Sequence, residues 1–103
     1  MAVVEVSIVP IGTGSTSVSK YVAGVEKVLM AETSVRHSLT AMGTIIEGDL
    51  DAVLSVIRKM HESVFSGEVQ RVVTLIRIDD RRDKHGTIAG KVESVQRRLR
   101  AEK

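Results

Sequence analysis

The sequence predicts an α+β domain: one antiparallel sheet, two helices packed against it, and a further helix at the C-terminal end. Three observations carry that reading. Residues 2–9 alternate between apolar and polar side chains, the period of a half-buried strand. Residues 18–29 and 53–64 carry apolar side chains at helical spacing. Three more short runs rich in β-branched residues lie between and after them, bounded by glycine.

In the first strand Val4, Val6 and Ile8 share one face, and Val3, Glu5, Ser7 and Val9 the other. Pro10 cannot donate to a sheet ladder, and Gly12 and Gly14 open backbone angles closed to other residues. P-I-G-T-G-S-T-S therefore reads as a loop. Ser15, Thr16 and Ser17 are each competent to cap the helix that follows, in which Val18, Tyr21, Val22, Val25, Val28 and Leu29 form one stripe ending near Glu32.

Residues 35–42 and 44–47 read as two short strands joined tightly at Met42-Gly43. Gly48 breaks the second of them and Asp49 is a natural cap. Val53, Val56, Ile57, Met60 and Val64 then make the stripe of a second helix, ending near Phe65 with Gly67 as its stop signal. Residues 69–83 hold the last strand. Val72, Ile76 and Ile78 face one way and Val73 and Leu75 the other, and a strand apolar on both faces requires cover on both. It ends in Asp79, Asp80, Arg81, Arg82 and Asp83, which cannot all be buried unpaired at tolerable cost. Lys84-His85-Gly86 reads as a loop and Thr87 as the cap of a third helix. There Ile88, Val92, Val95 and Leu99 recur at helical spacing opposite a basic face of Lys91, Arg97, Arg98 and Arg100.

Strand, helix, strand, strand, helix, strand is the split β-α-β order of ferredoxin-like domains, here a βαββαβ sandwich with an additional C-terminal helix. The expected organisation is a single domain over 1–103, with the sandwich in 1–83 and the loop and helix in 84–103. Such a sheet has one open face, and an exposed apolar face marks an interaction site. Self-association is the simplest cover, so a homodimer or homotetramer formed through the sheets is expected.

Composition excludes several classes of function. With 43% apolar but only 2% aromatic residues, the core is aliphatic, and the sheet lacks the aromatic platform on which single-stranded RNA is stacked. Fifteen basic and 13 acidic residues nearly balance, which predicts no long-range steering to nucleic acid. No cysteine is present, so there is no disulfide frame, thiolate nucleophile or thiolate metal site. No apolar run approaches a membrane span and no signal segment precedes the first strand, so a cytoplasmic protein with neither a membrane nor a nucleic-acid partner is expected.

Some residues invite a chemical role. The loop G-T-G-S-T-S leads into a helix whose N-terminal N–H groups attract anions, so Thr13, Ser15 or Ser17 either touches a ligand or serves only turn and cap. It matches no established phosphate-loop pattern. His61 lies at the edge of the second helix's stripe without a partner acid or second histidine, and reads as a packed structural residue. Asp79 and Asp80 fall on opposite faces of their strand, which argues against a joint metal site and for pairing with the neighbouring arginines. Glu47, at a strand end beside Gly43 and Thr44, is either a solvated charge or a partner for a cation or an aminopyrimidine.

With V-P-I-G-T-G-S-T-S in the first loop, M-G-T-I-I-E-G at the hairpin and R-V-V-T-L-I-R-I-D-D-R-R-D in the last strand, the chain resembles the small thiamine-binding protein family from about residue 4 to 95. The resemblance implies a non-enzymatic module that dimerises or tetramerises and binds thiamine or a related pyrimidine, with no catalytic residues, no metal and no cofactor beyond that ligand. Carried over by motif, the ligand-binding candidates are Pro10, Gly12, Thr13, Ser15, Met42, Gly43, Thr44, Glu47, Asp79 and Asp80. Gly14 departs from the pattern, standing where a less flexible residue is expected. The expected function is non-enzymatic binding of thiamine or hydroxymethylpyrimidine by a homo-oligomer acting as carrier or sensor. The alternative is a structural protein acting through self-assembly or a partner contact of its C-terminal helix. An enzyme using His61 with Asp79 or Asp80 as acid and base ranks below both.

Overall fold

The computed structural model describes residues 1–83 and 88–101. Its elements run β1 (Ala2–Pro10), α1 (Ser19–Met30), β2 (Arg36–Thr40), β3 (Gly43–Gly48), α2 (Leu50–Val64), β4 (Val72–Asp80) and α3 (Ile88–Ala101). The strands form one antiparallel sheet in the order β2-β3-β1-β4. This is the ferredoxin-like α+β arrangement with a C-terminal helix.

Strand alternation decides which side chains meet the helices. Val4, Val6 and Ile46 point from the sheet towards Leu29 of α1 and Val53, Val56 and Met60 of α2, and each is 2% exposed or less. Burying an aliphatic side chain of this size contributes roughly 1.5–3 kcal/mol relative to leaving it in water. A one-residue slip would turn this whole set outward, so the core itself fixes the register in which Val4 faces Ile46 and Ile78. Lys59 of α2 also reaches Glu32 after α1, at 2.7 Å, tying the two helices together at one end.

Several boundaries differ from expectation, each for a local reason. β1 continues through Pro10, which pairs with Val72 at the edge of the ladder, and Ile11 N–H donates to the Arg71 carbonyl at 2.8 Å. α1 begins at Ser19 behind Val18, with no side-chain cap. Two hydroxyls of the preceding loop are used locally: Ser15 Oγ accepts the Ser17 N–H, and Thr13 Oγ1 donates to the Ser15 carbonyl, closing small turns. α1 stops at Met30, two residues short of Glu32, whose N–H donates to the Leu29 carbonyl. Residues 35–42 pair only from Arg36 to Thr40, because Ala41-Met42 form the turn and Gly43 already belongs to β3. Asp49 does occupy the cap position of α2, without a side-chain bond, and α2 closes at Val64 with Phe65 extended, ahead of Gly67. Val69 is buried but lies in a turn, exchanging backbone bonds with Ser66, so β4 starts at Val72.

β4 is an edge strand, and the described residues do not supply the cover expected on both its faces. Ile76 and Ile78 are about half exposed on the helix side, as are Val73 and Leu75 on the open side. α3 contributes no buried residue, and Val92, Val95 and Leu99 are all more than half exposed. The expected loop Lys84-His85-Gly86 and the cap Thr87 lie outside the described residues.

Candidate functional site

The β2–β3 hairpin is built by Thr40. Its hydroxyl donates to the Gly43 carbonyl at 2.8 Å and accepts the Met42 N–H at 3.2 Å, closing the turn from inside. Gly43 then presses against β1. A Cβ at this position would stand 2.8 Å from the Val6 carbonyl oxygen, at a φ of +158°, so only glycine permits the approach. The next residue, Thr44, turns its side chain under α1, where it is 5% exposed and donates to Glu26 Oε1 at 2.9 Å. The other carboxylate oxygen of Glu26, Oε2, faces Nε2 of His37 on β2 at 3.8 Å.

Between α1 and this end of the sheet lies a half-open cavity of about 750 Å³, within the range of small-molecule sites. Val6, Ile8, Val22 and Val25 supply aliphatic wall, and Glu26 and Thr44 supply the polar focus. Met30, Leu39 and Met42 stand exposed around its mouth. Methionine is flexible and polarisable, suited to a wall that adapts to a flat ring. The cavity thus pairs an adaptable apolar lining with one carboxylate held from below by a hydroxyl.

The ten sequence-predicted positions do not converge. Met42, Gly43 and Thr44 line the cavity. Pro10 is buried at the end of β1, and Gly12, Thr13 and Ser15 follow it in a loop whose hydroxyls bond to their own backbone; none of these four lines the cavity. Gly14 has a φ of +75°, a left-handed conformation that a side chain would strain, so its departure from the family pattern matches the backbone it adopts.

Glu47 and Asp79 sit on the opposite, open face of the sheet, each paired in register with Val3. Glu47 is only 8% exposed and accepts the backbone N–H of Ile88 at 2.6 Å, while Asp79 takes an ion pair from Lys91. Both carboxylates seat the first turn of α3. Asp80 points the other way and pairs with Arg82 at 2.9 Å. The hydrogen bond from Arg82 holds the Asp80 carboxyl below the usual aspartate range. Arg81 pairs likewise with Asp83, so the charged run is resolved largely by local ion pairs.

His61 also has a structural setting: its Nδ1 lies 2.6 Å from Thr74 Oγ1, and its ring meets Phe65 edge-on at 5.3 Å. The residues that sequence reasoning missed are Glu26, His37 and Thr40. For Glu26 a signal was present, a lone carboxylate in an apolar helical stripe, four residues after Val22 and three before Leu29. Its pairing with Thr44 and His37 is a tertiary fact, and no local pattern shows it.

Comparison with known proteins places this geometry. The family described as thiamine-binding protein matches residues 4–96. A Bacillus subtilis relative, UPF0045 protein YqgV, is 49% identical over 102 residues, covering 96% of this chain and 98% of its own. The crystal structure of hypothetical protein MJ1052 from Methanocaldococcus jannaschii superposes with a TM-score of 0.84 at 40% identity, covering 92% of this chain and 95% of the other. A Thermotoga maritima structure, described provisionally as a thiamine biosynthesis/salvage protein, shares the fold with a TM-score of 0.74 at 15% identity, covering 91% and 97%. By the extent and continuity of these matches, this chain belongs to the thiamine-binding protein family.

Proposed function

We propose that the protein binds thiamine or its hydroxymethylpyrimidine part in the cavity beneath α1, as a carrier or sensor that leaves the ligand chemically unchanged. The observation that carries the reading is Glu26, mostly buried in a largely aliphatic cavity and oriented by Thr44. Thiamine presents a cationic thiazolium and a flat aminopyrimidine with N–H donors. A carboxylate beside a polarisable wall complements both features. Family membership supports the ligand class. Binding without turnover is favoured because His61, the residue considered as an acid or base, is engaged with Thr74 and Phe65 and does not line the cavity.

The proposal includes assembly into a homodimer or homotetramer, with a second copy covering Val73 and Leu75 of β4 and Val92, Val95 and Leu99 of α3, all exposed in the single chain. No described helix is long and apolar enough to cross a membrane, and the proposed place of work is the cytoplasm. The test is isothermal titration of the purified protein with thiamine, thiamine diphosphate and hydroxymethylpyrimidine. Saturable binding of thiamine at micromolar or tighter affinity supports the reading, and silence from all three with the protein folded overturns it. The exposed stripe of α3 favours a second reading, a scaffold acting through assembly or a partner contact, which such silence would leave standing.

A further inference from the structure

We infer that Glu26 makes the cavity selective for net charge, so that it takes a cationic ligand in preference to a neutral fragment and rejects phosphorylated forms of the same molecule. The inference rests on the binding proposed above and names the feature of the ligand that the site reads.

The side chain of Glu26 is 15% exposed, so most of its charge lies out of water. A carboxylate in such a place needs compensation, because burial without a partner is costly. Thr44 supplies one hydrogen bond to Oε1 and leaves Oε2 directed at His37, at 3.8 Å, beyond hydrogen-bond reach. Thr44 is a neutral donor. It orients the carboxylate and cancels none of its charge.

Among the described residues, the other charged side chain lining the cavity is Lys27, on the next position of α1. It is exposed at the rim, where solvent screens it. On β3 the neighbouring positions facing α1 are Thr44 and Ile46, and α2 contributes Met60, all uncharged. The field inside the cavity is therefore dominated by one anion, with the His37 ring 3.8 Å from its Oε2. A cation entering beside Val22 and Met42 is attracted at short range in a poorly screened space. A diphosphate tail carries like charge to Glu26 and is repelled in the same poorly screened space.

The experiment uses the full chain at pH 8, where the free pyrimidine is neutral, and compares its affinities for thiamine, hydroxymethylpyrimidine and thiamine diphosphate with those of Glu26→Gln and Thr44→Val. Wild type is expected to prefer thiamine over the diphosphate by roughly tenfold or more. Glu26→Gln should weaken thiamine by roughly tenfold or more, because the thiazolium loses its counter-charge, and the neutral pyrimidine by a smaller factor, because the glutamine carbonyl still accepts from its amino group. Thr44→Val should move the same ratio in the same direction by a smaller factor, as expected of a positioning residue.

A purely structural role would weaken all ligands together, so the thiamine-to-pyrimidine ratio is the deciding quantity. An unchanged ratio in a folded Glu26→Gln overturns the inference and leaves the binding proposal intact. Should Glu26→Gln fail to fold, Thr44→Val and the wild-type ranking decide, and a wild type that prefers the diphosphate overturns the inference alone. Wild-type silence towards every ligand removes the binding reading and this inference with it.

Discussion

Glu47 accepts the backbone N–H of Ile88 at 2.6 Å, across 41 residues of chain, so that a carboxylate on β3 serves as the N-terminal partner of α3. Helix N-termini leave N–H groups unsatisfied and carry partial positive charge, and a carboxylate answers both needs. With the Lys91–Asp79 ion pair beside it, this bond holds a helix that buries none of its own side chains. Replacement of Glu47 by alanine should therefore release α3 while the sandwich stays folded. Hydrogen exchange is expected to show lost protection in the amides of residues 88–101. The loss of the charged bond is worth roughly 1.5–3 kcal/mol. Unchanged protection in α3 would refute this role.

Gly43→Ala should destabilise the sandwich by about 1–3 kcal/mol, since the new Cβ would meet the Val6 carbonyl at 2.8 Å in a backbone conformation that side chains rarely adopt. Gly67→Ala is the control, with nothing within 4 Å of the added atom, and should stay within about 0.5 kcal/mol of wild type. Urea midpoints of the two variants give the comparison.

His61→Ala should cost about 1–2 kcal/mol through loss of the Thr74 bond and the edge contact with Phe65. Thiamine titrations of this variant should match wild type once stability is allowed for. A selective loss of binding or of any turnover in this variant would return the histidine to the functional site.

The pH dependence of stability should carry a small acid-side contribution from Asp80. Its folded-state carboxyl is held below the ordinary aspartate range by Arg82, so its stabilising effect is present above the unfolded value, about 3.9, and fades as pH falls through the lower folded value. Asp80→Asn should lower stability near pH 7 by that same small amount and flatten the decline below about pH 4, because asparagine offers Arg82 no charge at any pH. Denaturation midpoints between pH 3 and 6 test the sign.

Leu75→Glu, on the open face of the sheet, should shift the proposed oligomer towards smaller species without unfolding it, since Leu75 is 63% exposed in the single chain. Leu99→Glu should do the same if α3 shares that interface. Sedimentation velocity reports both, and an unaltered distribution in the double variant would exclude this face as the contact.

The fold was legible in the sequence where burial and period coincide. Val4, Val6 and Val53 to Val64 declare their faces directly, because one side of each element is apolar and the core accepts no other orientation. Boundaries were less legible, since the hydroxyls of Thr13 and Ser15 have local partners as good as a helix end. The candidate site was legible only at the hairpin. Met42, Gly43 and Thr44 do border the cavity, but Glu47 and Asp79 face away from it, as strand parity already required. Glu26 escaped notice because its meaning comes from Thr44 and His37, which are distant in the chain and adjacent only after folding.

β3 spends its two faces on different tasks: Thr44 turns inward to Glu26 and Glu47, three residues on, turns outward to Ile88. A one-residue slip in the pairing register of this strand would exchange the two faces at a stroke, removing the carboxylate from under α3 and the hydroxyl from beneath α1 together. Length changes should therefore be confined to even steps within the strand or to connections outside the hairpin, and drift in this chain should proceed there by substitution.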